Sequence, residues 1–386
     1  MARELAEAAD ERLRAHMPNR ESLARMIRDW ESGRTRPRDP YPVLYARALN
    51  LDEDDLFAIG AAAPPSLNAS TPMLLPLDGR PADADYVEAI RQAGQQLVAL
   101  DSLHGGNEVA PLALRIFQTA NGKLAAGKFV PAVEHDLEAA SGEMGEIAAW
   151  QAHDADRQDT SRQVIHEALM LSRMAGDRDM ELFELAHLSM LSLCQQRPRE
   201  ALRVADDVLE GIGLPPRVAA VFDVRRGRAL ACMGEKARAF DAIDRARSAL
   251  ADSVTSRDPN WTWWMDDAEL AWHEGMVHAE LGEWRQSIPA LTKAASHRPS
   301  GGRSRFHYVS QLLNALVHAG AWEEAEPVML NAIEQAAEIG SARTTNLLLR
   351  MTGRVERQVG ARPTSMIGDA VQDLRRVITA CAGPGG

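Results

Sequence analysis

The chain has little of what builds disulfide-stapled, membrane-spanning or cofactor-carrying proteins. Its three cysteines, Cys194, Cys232 and Cys381, are scattered over 386 residues with no C-x-x-C pairing. Neither a disulfide nor a structural zinc is expected of them, and Cys194 and Cys232 read as small buried apolar residues of helices. No apolar run approaches the roughly 18 residues needed to span a bilayer, and no signal peptide opens the sequence. The expected location is the cytoplasm, without a membrane partner. Lysine is nearly missing: Lys123, Lys128, Lys236 and Lys293 are the only ones among 43 basic residues. Almost nothing alternates with period two, so strands are not expected. No Ser/His/Asp order, no paired carboxylates in a pocket motif and no glycine-rich fingerprint can be assembled. The chain therefore does not read as an enzyme, and no cofactor or metal is implied.

What is present divides in two. A hydrophobic share of 45% at this length supports more than one core, so two units and a linker are expected. The net charge of −12 gives no bulk field for a polyanion, yet eight arginines lie between Arg12 and Arg38 against Glu21, Asp29 and Glu31. A confined basic patch on an acidic chain suits a nucleic-acid-binding head on a body with other business. Within the patch, Ser22–Pro37 reads as a short helix whose Leu23, Ile27 and Trp30 share one face, stopped at Gly33 and followed by Arg34, Arg36, Pro37 and Arg38.

That stretch resembles the end of the DNA-reading helix-turn-helix of the Cro/repressor-type (Xre) family, whose recognition helix runs into a W-E-x-G stop and an R-x-x-P turn. The matching residues are Ile27, Trp30, Glu31, Gly33, Arg34 and Pro37. Ala2–His16 reads as the preceding helix, and Tyr41–Leu49 with Asp52–Ile59 as the closing pair. The resemblance implies DNA contacts at Arg20, Ser22, Arg25, Arg28, Asp29, Arg34, Arg36 and Arg38. Of these, Arg25, Arg28 and Asp29 would read base edges, and Arg20, Arg34, Arg36 and Arg38 would hold phosphates. The family's domain usually opens with one further basic helix, so the head at 1–60 is expected to lack its first helix, through a misplaced start or a true loss.

Residues 61–84 carry Pro64, Pro65, Pro72, Pro76 and Pro81 and read as a linker. From about Tyr86 every segment reads as helix, and the body repeats itself. Gly227, Leu230, Gly234, Ala239, Ile243 and Ala246 recur in pattern as Gly275, His278, Gly282, Ser287, Leu291 and Ala294, and again as Leu313, Leu316, Gly320, Ala325, Met329 and Ala332. Fainter copies run through Ser189, Ser192, Gln196, Ala201, Ala205 and Val208, and through Asp156, Ser161, Ile165 and Ala168. The pattern resembles the tetratricopeptide repeat, a helical hairpin that stacks into a solenoid. The turn residues are 40, 38, 48 and 38 apart where the family's period is about 34, so the copies are degenerate. A similar P-x-W-x-x-W…A-E-L-x-x-H-x-G segment, here Pro259, Trp261, Trp264, Ala268, Glu269, Leu270, His273 and Gly275, is found in helical regulators of high-GC bacteria that join an Xre head to such a body.

The expected fold is all-α: a partial helix-turn-helix head, the linker, a right-handed tetratricopeptide-like solenoid over 85–362, and a C-terminal helix and tail over 363–386. The implied function is a transcriptional regulator binding double-stranded DNA, expected as a homodimer, whose solenoid senses a peptide, small molecule or protein. His187, Arg226 and Glu274 are candidates for its groove. The alternative is a scaffold for protein–protein interaction that binds no DNA. Two motifs fail on inspection. Gly122–Lys128 matches the start of a phosphate-binding loop but is followed by Phe129 and sits in a helical context. His273 and His278 are five apart, and so point about 140° apart on a helix. Trp261, Trp263 and Trp264 are expected to anchor a joint between repeats.

Overall fold

The computed structural model describes Leu23, Met26, Ile27 and Tyr41, together with residues 79–381 other than 212, 252–257, 298–301 and 360–365. The chain divides into two compact units, Met1–Pro72 and Met73–Gly386. In the first, Leu23, Met26 and Ile27 are helical, and Leu23 and Ile27 are buried together as an i, i+4 pair requires. Trp30, Gly33, Pro37 and all eight expected DNA contacts, Arg20, Ser22, Arg25, Arg28, Asp29, Arg34, Arg36 and Arg38, lie outside the described residues.

The second unit is all-α among the described residues, with fourteen helices running as consecutive pairs. They are α1 (Ala84–His104) with α2 (Gly106–Ala125), α3 (Glu134–Asp154) with α4 (Gln158–Met174), and α5 (Arg178–Cys194) with α6 (Pro198–Leu209). Then follow α7 (Pro216–Cys232) with α8 (Lys236–Ala251), and α9 (Asp267–Glu280) with α10 (Trp284–Ser296). The last two pairs are α11 (Arg303–Ala319) with α12 (Trp322–Ala336), and α13 (Ala342–Val359) with α14 (Met366–Cys381). No helix among the described residues is long and apolar enough to cross a membrane.

Local chemistry explains the hairpins. Asp83, Asp177 and Asp266 accept hydrogen bonds from backbone N–H groups that the first turns of α1, α5 and α9 leave unpaired. The five turns read from the repeat all take positive φ: Asp156, Gln196, Gly234, Gly282 and Gly320. Five, nine and twelve residues beyond each turn, one face of the second helix is buried. The residues are Ser161, Ile165 and Ala168; Ala201, Ala205 and Val208; Ala239, Ile243 and Ala246; Ser287, Leu291 and Ala294; Ala325, Met329 and Ala332. None is more than 5% exposed. Steps of four and three keep all three on one side of a helix. Pro111, Pro289 and Pro327 each stand sixth in their helices, so each removes a single backbone bond near the helix start.

The paired helices touch where the side chain vanishes. A Cβ on Gly275 would lie 2.6 Å from Leu291 Cγ and 3.2 Å from the Leu291 backbone nitrogen. Gly275→Ala is therefore expected to lower stability by about 1–3 kcal/mol, as overpacking does. Chemical denaturation checks this, and a midpoint unchanged from wild type would show that α9 and α10 separate freely.

The row of hairpins also closes on itself. Helices α11 and α13 return against α1 and α3. Backbone meets backbone there: the Gly340 N–H donates to the His104 carbonyl at 2.6 Å, and the Asn107 N–H donates to the Gly340 carbonyl at 3.0 Å. Gly105, at φ 85°, has room only for hydrogen, because a Cβ would sit 2.6 Å from the Gly340 oxygen.

Candidate functional site: the charged interior

The odd-numbered helices bury an unusual set of ionisable side chains where the row closes. Asp154, at the end of α3, is fully buried and is the hub. Its Oδ1 accepts from Ser341 Oγ at 2.8 Å and from Arg343 Nη2 at 3.0 Å, and its Oδ2 accepts from the Gly106 N–H at 3.0 Å. Burial alone would raise its pKa, but Arg343, Arg303 and these hydrogen bonds hold the carboxyl below its usual range. Asp101 on α1 plays a parallel part, accepting from Arg303 Nε at 2.9 Å and from Trp150 Nε1 at 3.1 Å. The Arg303 guanidinium stacks over the Trp150 ring at 4.6 Å, and that of Arg343 lies at 5.8 Å.

From Trp150 the cluster continues along α3 and α5. The rings of His153 and His187 lie 5.8 Å and 5.6 Å from Trp150. His187 Nδ1 stands 3.1 Å from Glu146 Oε1, and both side chains are buried. Ser172 Oγ donates to Glu184 Oε1 at 2.7 Å. Burial, with Glu146 nearby, pushes the Glu184 carboxyl up to about 9, so it carries a proton at neutral pH.

A second cluster occupies α7, α9 and α11. Arg228 Nε donates to Glu280 Oε1 at 2.9 Å, with its guanidinium 5.0 Å over the Trp272 ring. Trp272 also stacks on Tyr308 at 5.8 Å, and the Tyr308 hydroxyl donates to Glu269. His307 links the clusters, lying 5.8 Å from Trp272 and 3.3 Å from Arg343 Nη1. Burial and the neighbouring arginines hold His153 and His307 well below the usual imidazole range; burial, against its bond to Glu269, lowers His273 to about 3. These three imidazoles are neutral at physiological pH.

The expected groove residues separate. His187 is inside, as above. Arg226 Nε instead lies 2.9 Å from Asp206 on α6, and Glu274 accepts from Arg247 on α8 at 2.9 Å; both are partly exposed. Inside stand their sequence neighbours Arg225 and His273, 5% and 0% exposed. His187, Arg225 and His273 each precede their hairpin's turn residue by nine positions, a register that the turn spacing makes available from sequence. The Asp101, Asp154, Arg303 and Arg343 constellation has no such local signal.

Cys194 and Cys232 correct the expectation of burial: each is the last residue of its helix, two before the turn, and both are exposed free thiols. Trp261 stacks on Phe183 of α5 at 4.9 Å and donates to the Asp179 carbonyl at 2.9 Å, while Trp263 is 72% exposed. Lys123 of the loop-like Gly122–Lys128 run lies in α2, donates to the Arg80 carbonyl and sits 4.8 Å over the Tyr86 ring. No protein-family model matches this chain, and no curated protein matches it.

Proposed function

We propose that the chain is a ligand-responsive DNA-binding regulator. The observation that carries this reading is the closed, charged interior of the second unit. Its buried Arg228, Arg303 and Arg343 are paired with carboxylates beside neutral imidazoles, pairs that a small polar ligand can enter by exchange and whose rearrangement would shift α11 and α13 against α1 and α3. The basic stretch at Arg20–Arg38 and its likeness to the Xre helix-turn-helix supply the DNA-binding half. The turn register supports degenerate tetratricopeptide-like repeats in a right-handed solenoid, and a palindromic operator would call for a homodimer. A peptide scaffold fits less well, because the inner helices meet one another across the closure where an open groove for an extended peptide would run.

Electrophoretic mobility of the DNA upstream of the coding sequence tests the proposal. The full chain is expected to shift that DNA selectively and to lose affinity as salt rises. Arg25→Ala should cost about 1–3 kcal/mol and relax specificity at one base. Arg36→Ala should weaken all sequences alike and flatten the salt dependence by about one unit of slope. A protein that shifts no DNA at low salt is not this regulator.

A further inference from the structure

Arg225 stands apart from the other interior arginines. Arg228, Arg303 and Arg343 each hold a carboxylate, at Glu280, Asp101 and Asp154. Arg225 is 5% exposed, has no carboxylate within ion-pair distance among the described residues, and leaves its Nε without a hydrogen-bond partner. Among the described residues its one side-chain hydrogen-bond contact is His273 Nε2, at 3.5 Å from Nη1. That same nitrogen lies 3.4 Å from Glu269 Oε1. One ring nitrogen cannot accept from the guanidinium and donate to the carboxylate at once, so either tautomer leaves one neighbour unserved. His273 Nδ1 and Trp272 Nε1 are likewise buried without hydrogen-bond partners among the described residues. Glu269 supplies the main opposing charge, and it also accepts from the Tyr308 hydroxyl. Burial and the positive charge of Arg228 lower the Arg225 guanidinium to about 10, against the opposing charge of Glu269.

A buried guanidinium without a carboxylate in ion-pair contact disfavours folding. We propose that the interior beside Arg225 is an oxyanion site, which takes the carboxylate or phosphate of a small molecule on the Arg225 fork with His273 and Trp272 alongside. A planar or tetrahedral oxyanion accepts two parallel N–H bonds from one guanidinium, which a chloride ion cannot. The site names the ligand class for the regulator proposed above and rests on that reading for its biological role, but its chemistry is measured without DNA.

The test is thermal unfolding of the full chain titrated with sodium phosphate or sodium acetate, against sodium chloride at matched ionic strength. Wild type is expected to gain melting temperature saturably with an oxyanion and not with chloride. A response to phosphate alone assigns a phosphate-bearing ligand, a response to acetate alone assigns a carboxylate, and a response to both supports the shared chemistry. Arg225→Met should melt a few degrees higher than wild type in oxyanion-free buffer, because the unpaired charge is gone, and should lose the saturable response. Arg225→Lys keeps the charge without the fork and should respond with roughly tenfold weaker half-saturation. No saturable rise in wild type overturns the site. So does an equal rise in Arg225→Met, which would move the binding to another basic region, or an unchanged half-saturation in Arg225→Lys. An oxyanion response without any DNA shift leaves the site standing and removes the regulator.

Discussion

Replacing Asp154 by alanine is expected to destabilise the second unit by about 3–5 kcal/mol, the loss typical of removing one partner from a buried ion pair. Asp154 is fully buried and receives Ser341, Arg343 and the Gly106 N–H. Its removal leaves the Arg343 charge without its carboxylate and the Gly106 N–H without its acceptor, while the Ser341 hydroxyl keeps Thr344 Oγ1 at 3.0 Å. The effect should concentrate at the closure. Hydrogen exchange at the Asn107 and Gly340 amides, which bond across it, should accelerate more than exchange within α7. Because the folded carboxyl titrates below its unfolded value, its contribution is complete above the usual carboxylate range and fades as pH falls through the folded pKa. Wild type and variant should therefore converge in acid. Equal denaturation midpoints at neutral pH, or full loss of stability with those two amides still protected, would contradict the hub assigned to Asp154.

Glu184→Gln should do the reverse. The carboxyl moves from an ordinary 4.5 to about 9 on folding, so between those values the folded protein holds a proton that the unfolded chain releases. Stability then falls as pH rises across that window. At pH 7 the accumulated penalty is about 3 kcal/mol. A neutral glutamine keeps the acceptor for Ser172 and removes the penalty. The variant should match wild type near pH 4.5, exceed it by about 2–3 kcal/mol at pH 7, and lead by more toward pH 9. Urea titrations at the three pH values decide it; parallel pH profiles would mean that Glu184 folds ionised.

The hairpins were legible in the sequence because their determinants are local. A turn residue and a buried face at offsets of five, nine and twelve involve at most two adjacent helices, and periodicity records such contacts directly. Even Asp156 and Gln196, which hold positive φ without being glycine, could be found by register with Gly234. The interior was harder. Asp154, Arg303 and Arg343 look in sequence like any solvated charge, since what makes their burial tolerable is a partner about half the chain away. The near miss between Arg226 and Arg225, and between Glu274 and His273, has a simple geometric root. One step along a helix swings a side chain by about 100°, enough to exchange the interior for a neighbouring helix. Knowing which hairpins are consecutive fixes the register of the inner row, but not which side of each helix the closure will enclose.

The closure has a consequence for how the molecule is made. In an open stack each hairpin needs only its neighbours, so a nascent chain can fold progressively and the ends can fray alone. Here Asp101 waits for Arg303, 202 residues later, and Asp154 waits for Arg343, 189 residues later. Two carboxylates that are buried in the finished protein must stay hydrated while most of the unit is still being synthesised. The first hairpins therefore emerge from the ribosome as a provisional assembly, and the last two convert that string of independent parts into a single cooperative object.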